Sequence, residues 1–191
     1  MTTVLRWAAS AAAFFALAAG LAPVPAAAQS SLIDEVKVGV LDHDVGFLGH
    51  HVEGGQDVNL EMLFSSPEFL SVIGSPRPDI GADINDAGNT SDAYFGLTWT
   101  AKPLQVLFRG DPRVFLDGSL GAAYQDGYID HAPPGRKTLG SPVLFHLSAE
   151  LGYQLTPVVS ISAYLGHISN ADTFRHNAGI TSAGARLGFK F

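Results

Sequence analysis

The stretch that decides the fold is Ile161–Phe191, ISAYLGHISNADTFRHNAGITSAGARLGFKF. Two segments of alternating residues flank a polar loop here. Before the loop, odd positions from Val159 to Leu165 are apolar, whereas even positions are small, polar or amphipathic. A β-strand points odd and even side chains to opposite faces, so His167 and Ser169 belong to the apolar face. That face is either a soluble core or a surface in contact with lipid.

The last segment of the chain alternates in the same way. Its apolar set is Ala185, Leu187, Phe189 and Phe191, and the residues between them are Arg186, Gly188 and Lys190. Outer-membrane barrels commonly end on a Phe in such a strand, and their apolar set faces lipid. The pattern predicts that Arg186 and Lys190 point into the barrel and pair there with other polar groups. Those groups are Glu61, His146 and Glu150.

The preceding chain adds six segments, which gives about eight predicted strands. The six are residues 31–41, 58–64, 69–73, 94–101, 114–124 and 143–153. Residues 74–92 are dense in turn-forming residues and predict a long polar loop. Long and short connections then alternate, as in small barrels with long outer loops and short periplasmic turns. Eight strands leave an interior filled by side chains, so no pore is expected.

Two folds share this alternation. In a soluble lipocalin-like barrel the apolar face turns inward around a ligand, whereas in a membrane barrel it turns outward. The terminal Phe, the rhythm of the loops and an export signal favour the membrane. The predicted fold is therefore all-β, an eight-stranded antiparallel transmembrane β-barrel of the outer membrane of a Gram-negative bacterium.

The first 28 residues carry the export signal. Arg6 precedes an apolar run over residues 7–21, and Ala26, Ala27 and Ala28 form a small-residue cleavage site. This is the pattern of a secretory signal peptide over residues 1–28, and its removal leaves residues 29–191 as a single barrel domain. A retained membrane anchor is the alternative. No later run approaches the roughly 18 consecutive apolar residues of a spanning helix.

Composition limits the partners and the sources of stability. The chain has 11 basic and 18 acidic residues, and removal of Arg6 leaves 10 against 18, a net charge of −8. This acidic balance argues against nucleic acid as a partner. The sequence contains no cysteine. A disulfide framework is therefore excluded, and a closed sheet or a sufficient core must stabilise the exported protein.

His167 and Ser169 form the candidate catalytic pair. Residues i and i+2 of a strand share a face, where an imidazole can take the proton of a hydroxyl that attacks an ester carbonyl. The tetrahedral oxygen then needs hydrogen-bond donors, and the candidates are Asn170, Asn177 and the backbone amides around Ala171 and Gly179. A His and a Ser two residues apart also occur by chance. Anchoring at the membrane interface is the other explanation for a polar pair on an apolar face.

The remaining histidines give weaker signals. His43, His131 and His176 are predicted to be solvated loop residues. The pair His50 and His51, with Glu53, has the residue types of a metal site, but adjacent side chains point apart on a strand. We therefore do not expect these residues to bind a metal.

The segments around the pair resemble the C-terminal signature of the outer-membrane lipid A 3-O-deacylases. They are His167–Ala171 (HISNA), Asn177–Ile180 (NAGI) and Gly184–Phe191, with a looser similarity over Tyr94–Thr100 (YFGLTWT). The resemblance implies an eight-stranded barrel that hydrolyses the ester at position 3 of lipid A without a metal or cofactor. It also implies that His167 is the general base, Ser169 the nucleophile and Asn177 an oxyanion donor.

Thr181 departs from the family pattern. At this spacing the family has a Glu, and that acid orients the His. Thr181 lies on the odd, outward face, so its hydroxyl could accept the imidazole N–H and fix the tautomer without supplying charge. Glu150 lies on the opposite face of its strand, and Asp172 could reach only if its loop folded back. We expect a weakened triad or a dyad, with a catalytically inactive homologue as the alternative.

Three classes of function remain open from the sequence. They are a lipid A esterase, a non-catalytic small barrel of the adhesin or resistance type, and a soluble lipid carrier. The first predicts lipopolysaccharide and outer-membrane lipid as partners. The oligomeric state is open, a homodimer included.

Overall fold

A computed structural model of the chain describes residues 31–102 and 112–191. The predicted signal peptide, residues 1–28, lies outside the described residues and stays a prediction. Within the described residues, no helix is long and apolar enough to cross a membrane.

Eight antiparallel strands close into a barrel. They are β1 (Ile33–Asp42), β2 (Gln56–Phe64), β3 (Arg77–Asn85), β4 (Asp92–Ala101), β5 (Val114–Gln125), β6 (Val143–Gln154), β7 (Val159–Ser169) and β8 (Ile180–Lys190). Each strand pairs with the next, and β1 pairs with β8, from Glu35 opposite Lys190 to Asp42 opposite Ala183. The predicted all-β, eight-stranded antiparallel barrel is confirmed.

The third strand was predicted in the wrong place. Phe69–Ile73 lies in a short 3₁₀ helix, Glu68–Ile73, where Phe69 and Val72 are exposed. The strand β3 instead lies within residues 74–92, the predicted polar loop. Its sequence alternates outward Ile80 and Ile84 with buried Asp79 and Asp83. A closed barrel accepts Asp and Gly on its inner face, so turn-forming residues did not mark a turn here.

The barrel has a polar interior and an apolar exterior. Outward residues such as Ile80, Phe95 and Leu147 are about half exposed or more, whereas Arg186 is 3 % exposed. Arg186 binds Glu61 at 2.6 Å and also binds Glu150. This alternation is typical of a barrel whose outer surface contacts lipid.

Most of the polar groups that were predicted to pair inside the barrel do so, and Lys190 is the exception. Lys37 Nζ lies 2.8 Å from Asp117 and 2.9 Å from Glu150. The ring of His146 stacks on Tyr94, with centroids 4.1 Å apart. Lys190 instead lies over the Phe115 ring, 5.8 Å from its centroid.

Four connections meet at one end of the barrel. They are loop 1 (43–55), loop 2 (86–91), loop 3 (126–142) and loop 4 (170–179). Of the other connections that the structure describes, residues 65–76 and 155–158 lie at the opposite end. The predicted alternation of long and short connections is wrong, because loop 2 is short and residues 65–76 hold the 3₁₀ helix. Loops 1, 3 and 4 position the candidate site.

Candidate functional site

His167 and Thr181 face each other across β7 and β8. They are register partners in the antiparallel ladder, so their side chains lie on the same face of the sheet. The Nδ1 atom of His167 is 2.8 Å from Thr181 Oγ1, a hydrogen-bond distance. This contact uses one ring nitrogen of His167 and leaves Nε2 for another partner.

Ser169 and His167 both border Gly179. A Cβ atom added at Gly179 would lie 2.8 Å from His167 Cε1 and 3.1 Å from the Cβ of Ser169. It would also lie 2.9 Å from the carbonyl oxygen of Ile168. Glycine is therefore the residue that fits beside the pair. His167 and Ser169 are half-buried on the outward face of β7.

Loop 1 is bonded to the backbone of β8 at Thr181. Although Thr181 belongs to that face, it is only 1 % exposed. The backbone N–H of Val45 donates to the Thr181 carbonyl oxygen at 2.7 Å. The residue that meets His167 is thus buried, and its backbone is bonded to the loop that follows β1.

Asn170 organises loop 4. Its side-chain nitrogen donates to the carbonyl oxygens of Leu139 and His176, at 3.0 Å and 2.6 Å. Its side-chain oxygen accepts from the N–H of Asp172 at 3.0 Å. Both N–H groups of this buried amide are used by loop carbonyls, so Asn170 joins loop 4 to loop 3. Its predicted role as an oxyanion donor stays a prediction.

Ala171, Asp172 and Asn177 form the turn of loop 4. Ala171 and Asp172 have φ values of 52° and 62°, in the left-handed region. Asn177 is exposed; its Nδ2 donates to the Asp172 carboxylate, and its Oδ1 accepts from the Asp172 N–H, both at 3.1 Å. The structure thus brings His167, Ser169, Thr181 and Gly179 together. It places Asn177 in the loop above them, with its amide turned to Asp172.

The two acids considered as substitutes for the family's Glu have other partners. Glu150 lies inside the barrel, bound to Lys37 and Arg186. Asp172 faces Asn177. In this structure Thr181 is the residue that contacts His167 Nδ1.

Lys137 and Asp44 are site neighbours that the sequence did not reveal. Lys137 Nζ lies 2.5 Å from Asp44 Oδ1 and 2.6 Å from the carbonyl oxygen of Gly179. Lys137 is 6 % exposed and Asp44 1 % exposed. These residues come from loops 3, 1 and 4, which are far apart along the chain, so no spacing pattern joins them.

A second charged cluster lies beneath loop 1. His43, predicted to be solvated, is buried with Nδ1 2.9 Å from Asp57 and Nε2 3.4 Å from Glu53. Burial alone lowers the pKa of His43, but its hydrogen bonds to these two carboxylates raise it to about 9. Burial opposes ionisation of Glu53, yet hydrogen bonds from His43 and from the N–H groups of Lys137 and Thr90 hold its pKa well below the usual range.

The metal reading of His50, His51 and Glu53 gains no support. Glu53 turns to His43 instead, and His51 Nδ1 lies 2.6 Å from the carbonyl oxygen of Asp44. Among residues 31–102 and 112–191, no group of three or more His, Asp or Glu side chains is arranged to hold a metal ion.

Comparison with known proteins gives the family. The family model described as lipid A 3-O-deacylase (PagL) matches residues 77–190, more than half of the chain. A search of curated proteins found no match.

Two solved structures illustrate the likeness of fold. The crystal structure of the outer membrane enzyme PagL is 18 % identical, with a TM-score of 0.59, over 82 % of this chain and 99 % of that one. The N-terminal β-barrel domain of Pseudomonas aeruginosa OprF is 14 % identical, with a TM-score of 0.53, over 85 % and 100 %. At these identities the two structures show that the fold is shared. Membership of the family is shown by the family model. The chain therefore belongs to the lipid A 3-O-deacylase (PagL) family and is a transmembrane β-barrel of the Gram-negative outer membrane.

Proposed function

We propose that this protein hydrolyses the 3-O-acyl ester of lipid A, with Ser169 as nucleophile and His167 as general base. The observation that carries the proposal is the bond of His167 to Thr181 on the outward face of β7, beside Ser169 and Gly179. A polar group on a lipid-facing surface is costly to maintain and is commonly functional. The substrate follows from the family.

The mechanism uses the tautomer of His167 in which Nδ1–H donates to Thr181 Oγ1, and the 2.8 Å contact between these atoms supports that assignment. Nε2 then carries a lone pair that can receive a proton. Nε2 takes the proton of the Ser169 hydroxyl as the serine oxygen attacks the ester carbonyl. The tetrahedral intermediate collapses, the bond to the 3-oxygen of lipid A breaks, and the imidazolium returns the proton to that oxygen.

Water completes the cycle. The acyl chain is now an ester of Ser169, and His167 deprotonates a water molecule that attacks it. Collapse of the second tetrahedral intermediate releases the free fatty acid and restores the Ser169 hydroxyl. The overall reaction consumes one water and needs no redox partner.

The oxyanion donors come from loop 4 and its ends. We assign this role to the backbone amides around Ala171 and Gly179, and to Asn177 once its amide turns from Asp172 toward substrate. Each well-placed donor supplies about 2.7–4 kcal/mol of transition-state stabilisation. Asn170 acts on substrate through the shape of loop 4, because its amide already holds Leu139 and His176.

Thr181 makes the enzyme slower than one with a carboxylate. Replacing the acid of a Ser-His-Asp triad by a neutral group costs about 10⁴-fold in kcat in an unrelated hydrolase. Thr181 keeps the orienting hydrogen bond but supplies no charge to stabilise the imidazolium. We therefore expect measurable activity with a low kcat.

The strand order supports a location for the proposed site near the outer leaflet. With both barrel termini in the periplasm, loops 1–4 are extracellular and Ser169, at the end of β7, is level with the outer leaflet. That leaflet contains the lipopolysaccharide whose lipid A is the substrate. The ester therefore approaches from the membrane, and no pore or inner cavity is needed.

The test is the mass of lipid A from a Gram-negative host that expresses the chain. We expect the loss of one 3-hydroxyacyl unit with the wild type and intact lipid A with Ser169→Ala. Ser71→Ala is the matched control, because this exposed serine lies at the opposite end of the barrel and should leave hydrolysis unchanged. Unmodified lipid A with folded wild type in the outer membrane would establish an inactive or differently directed barrel.

A further inference from the structure

We propose that Lys137 is a positioning residue for this reaction: its ammonium group holds the segment Gly179–Thr181 against His167 and Ser169. The inference rests on the proposed function for its catalytic consequence. The contact itself joins loops 1, 3 and 4 at the start of β8. Its effect on the backbone can be measured without measuring hydrolysis.

The contact is short and buried. Lys137 Nζ donates to Asp44 Oδ1 at 2.5 Å and to the Gly179 carbonyl oxygen at 2.6 Å. With Lys137 and Asp44 almost fully buried, water screens their attraction little. Charge-assisted hydrogen bonds of this kind are among the stronger ones in proteins. The ammonium group is thus fixed, and it fixes the carbonyl that it binds.

Asp44 is itself held in place. Its Oδ2 accepts from the backbone N–H groups of Val52 at 2.8 Å and Glu53 at 3.1 Å, across loop 1. Its φ of 50° lies in the left-handed region, so the surrounding bonds maintain an uncommon backbone conformation. Loop 1 therefore presents Asp44 to Lys137 as part of a bonded turn.

Two bonds hold the strand segment from the same side. Lys137 takes the carbonyl oxygen of Gly179, and Val45, the neighbour of Asp44, donates to the carbonyl oxygen of Thr181 at 2.7 Å. Gly179 borders both His167 and Ser169, and Thr181 Oγ1 bonds His167. Displacing this segment would move the hydroxyl that orients the base and the backbone beside the nucleophile together.

A threonine needs this support more than a glutamate would. The Thr hydroxyl is one short, neutral group, so its bond to His167 depends on where the backbone places it. A carboxylate has a longer side chain, two oxygens and a charge that acts over distance. A misplacement of about 1 Å at a catalytic group can cost about 10²-fold in rate.

The experiment compares Lys137→Met with Arg136→Met in the full-length barrel. Methionine keeps an unbranched apolar stem and removes the charge. Arg136 is the matched control because it also ties loop 3 to loops 1 and 2, through Glu53 at 3.2 Å and the Gly88 carbonyl at 3.2 Å. Neither of these bonds touches Gly179, His167 or Thr181.

We expect Lys137→Met to lower kcat by about 10²-fold with KM little changed. Arg136→Met should keep a kcat near that of the wild type. Equal kcat values for the two variants would overturn the positioning role while leaving the deacylase assignment intact. If Lys137→Met does not insert into the membrane, Asp44→Asn weakens the same contact and replaces it in the comparison.

Hydrogen–deuterium exchange gives a readout that does not depend on activity. We expect faster exchange over residues 178–183 in Lys137→Met than in the wild type or Arg136→Met, with β1–β6 unchanged. Unchanged exchange over 178–183 would overturn the proposal even if the wild type proved to be inactive. If the wild type were inactive but exchange were faster in Lys137→Met, the positioning of Gly179–Thr181 by Lys137 would stand and the deacylase function would be rejected.

Discussion

The barrel interior and the outward site use polar groups in opposite ways. Inside, the charges of Arg186 and Lys37 meet Glu61, Glu150 and Asp117. Outside, the candidate site contains an imidazole and two hydroxyl side chains, and His167 contacts Thr181 at a hydrogen-bond distance. The interior therefore depends on charge balance for stability, whereas the site depends on orientation for chemistry. Changes inside should unfold the protein, and changes at the site should leave it folded.

The largest effect on stability is expected from Arg186→Met. This change leaves Glu61 and Glu150 buried without their guanidinium partner, and breaking a buried ion pair costs about 3–5 kcal/mol. Urea unfolding in lipid vesicles should show the loss. Lys190→Met is the control, because Lys190 is half-buried at the end of β8 and lies over Phe115. If the urea unfolding curves of Arg186→Met and Lys190→Met were superimposable, the interior ion pairs of Arg186 would not be needed for stability.

The next effect is the dependence of stability on pH at His43, which joins loop 1 to the interior. Its pKa is raised from 6.5 to about 9, so its contribution is fully present below pH 6.5 and lost as the pH rises through 9. A shift of this size corresponds to about 3 kcal/mol. Glu53 has the opposite pH dependence, because its pKa is lowered in the folded protein. Its contribution to folding stability is present above about pH 4.5 and is lost as the pH falls below that value.

The measurement is the free energy of unfolding between pH 6 and pH 10 for the wild type and for His43→Gln. We expect the advantage of the wild type to shrink as the pH rises, since only the wild type loses a proton at this position. A constant difference across the range would show that folding does not shift the pKa of His43.

The smallest effect is expected from Thr181→Val, which removes the hydroxyl and keeps the shape. His167 then loses its orienting partner, and kcat should fall about 10-fold, a free-energy change of about 1.4 kcal/mol. The free energy of unfolding should change little. Thr181→Glu sharpens the test because it introduces the charge that the site lacks, and we expect kcat to rise at some loss of stability. A Val variant as active as the wild type would remove Thr181 from the mechanism.

Parts of this picture could be predicted from the sequence and parts could not. Alternation over β7 and β8 is local, so it gave the strands and the shared face of His167, Ser169 and Thr181. The strand β3 was missed because its inward Asp and Gly residues resemble turn residues. The apolar run Phe69–Ile73 predicts a strand by its composition, but such a short run does not distinguish a strand from a helical turn.

The contacts between loops could not be predicted from local sequence patterns. Lys137, Asp44 and Gly179 meet only because three connections converge at one end of the closed sheet. The burial of His43 between Asp57 and Glu53 has the same origin. Alternation assigns each residue to a face, but it does not say which loop folds over that face. This is why Thr181 was predicted on the correct face and not as a covered residue.

The closure of the barrel has a consequence for the timing of activity. β8 is both the strand that seals the cylinder against β1 and the strand that carries Thr181 beside His167. Before β8 has paired with β7, Thr181 does not lie opposite His167. If His167 and Ser169 act as proposed, we therefore expect hydrolysis only after β8 has joined the sheet.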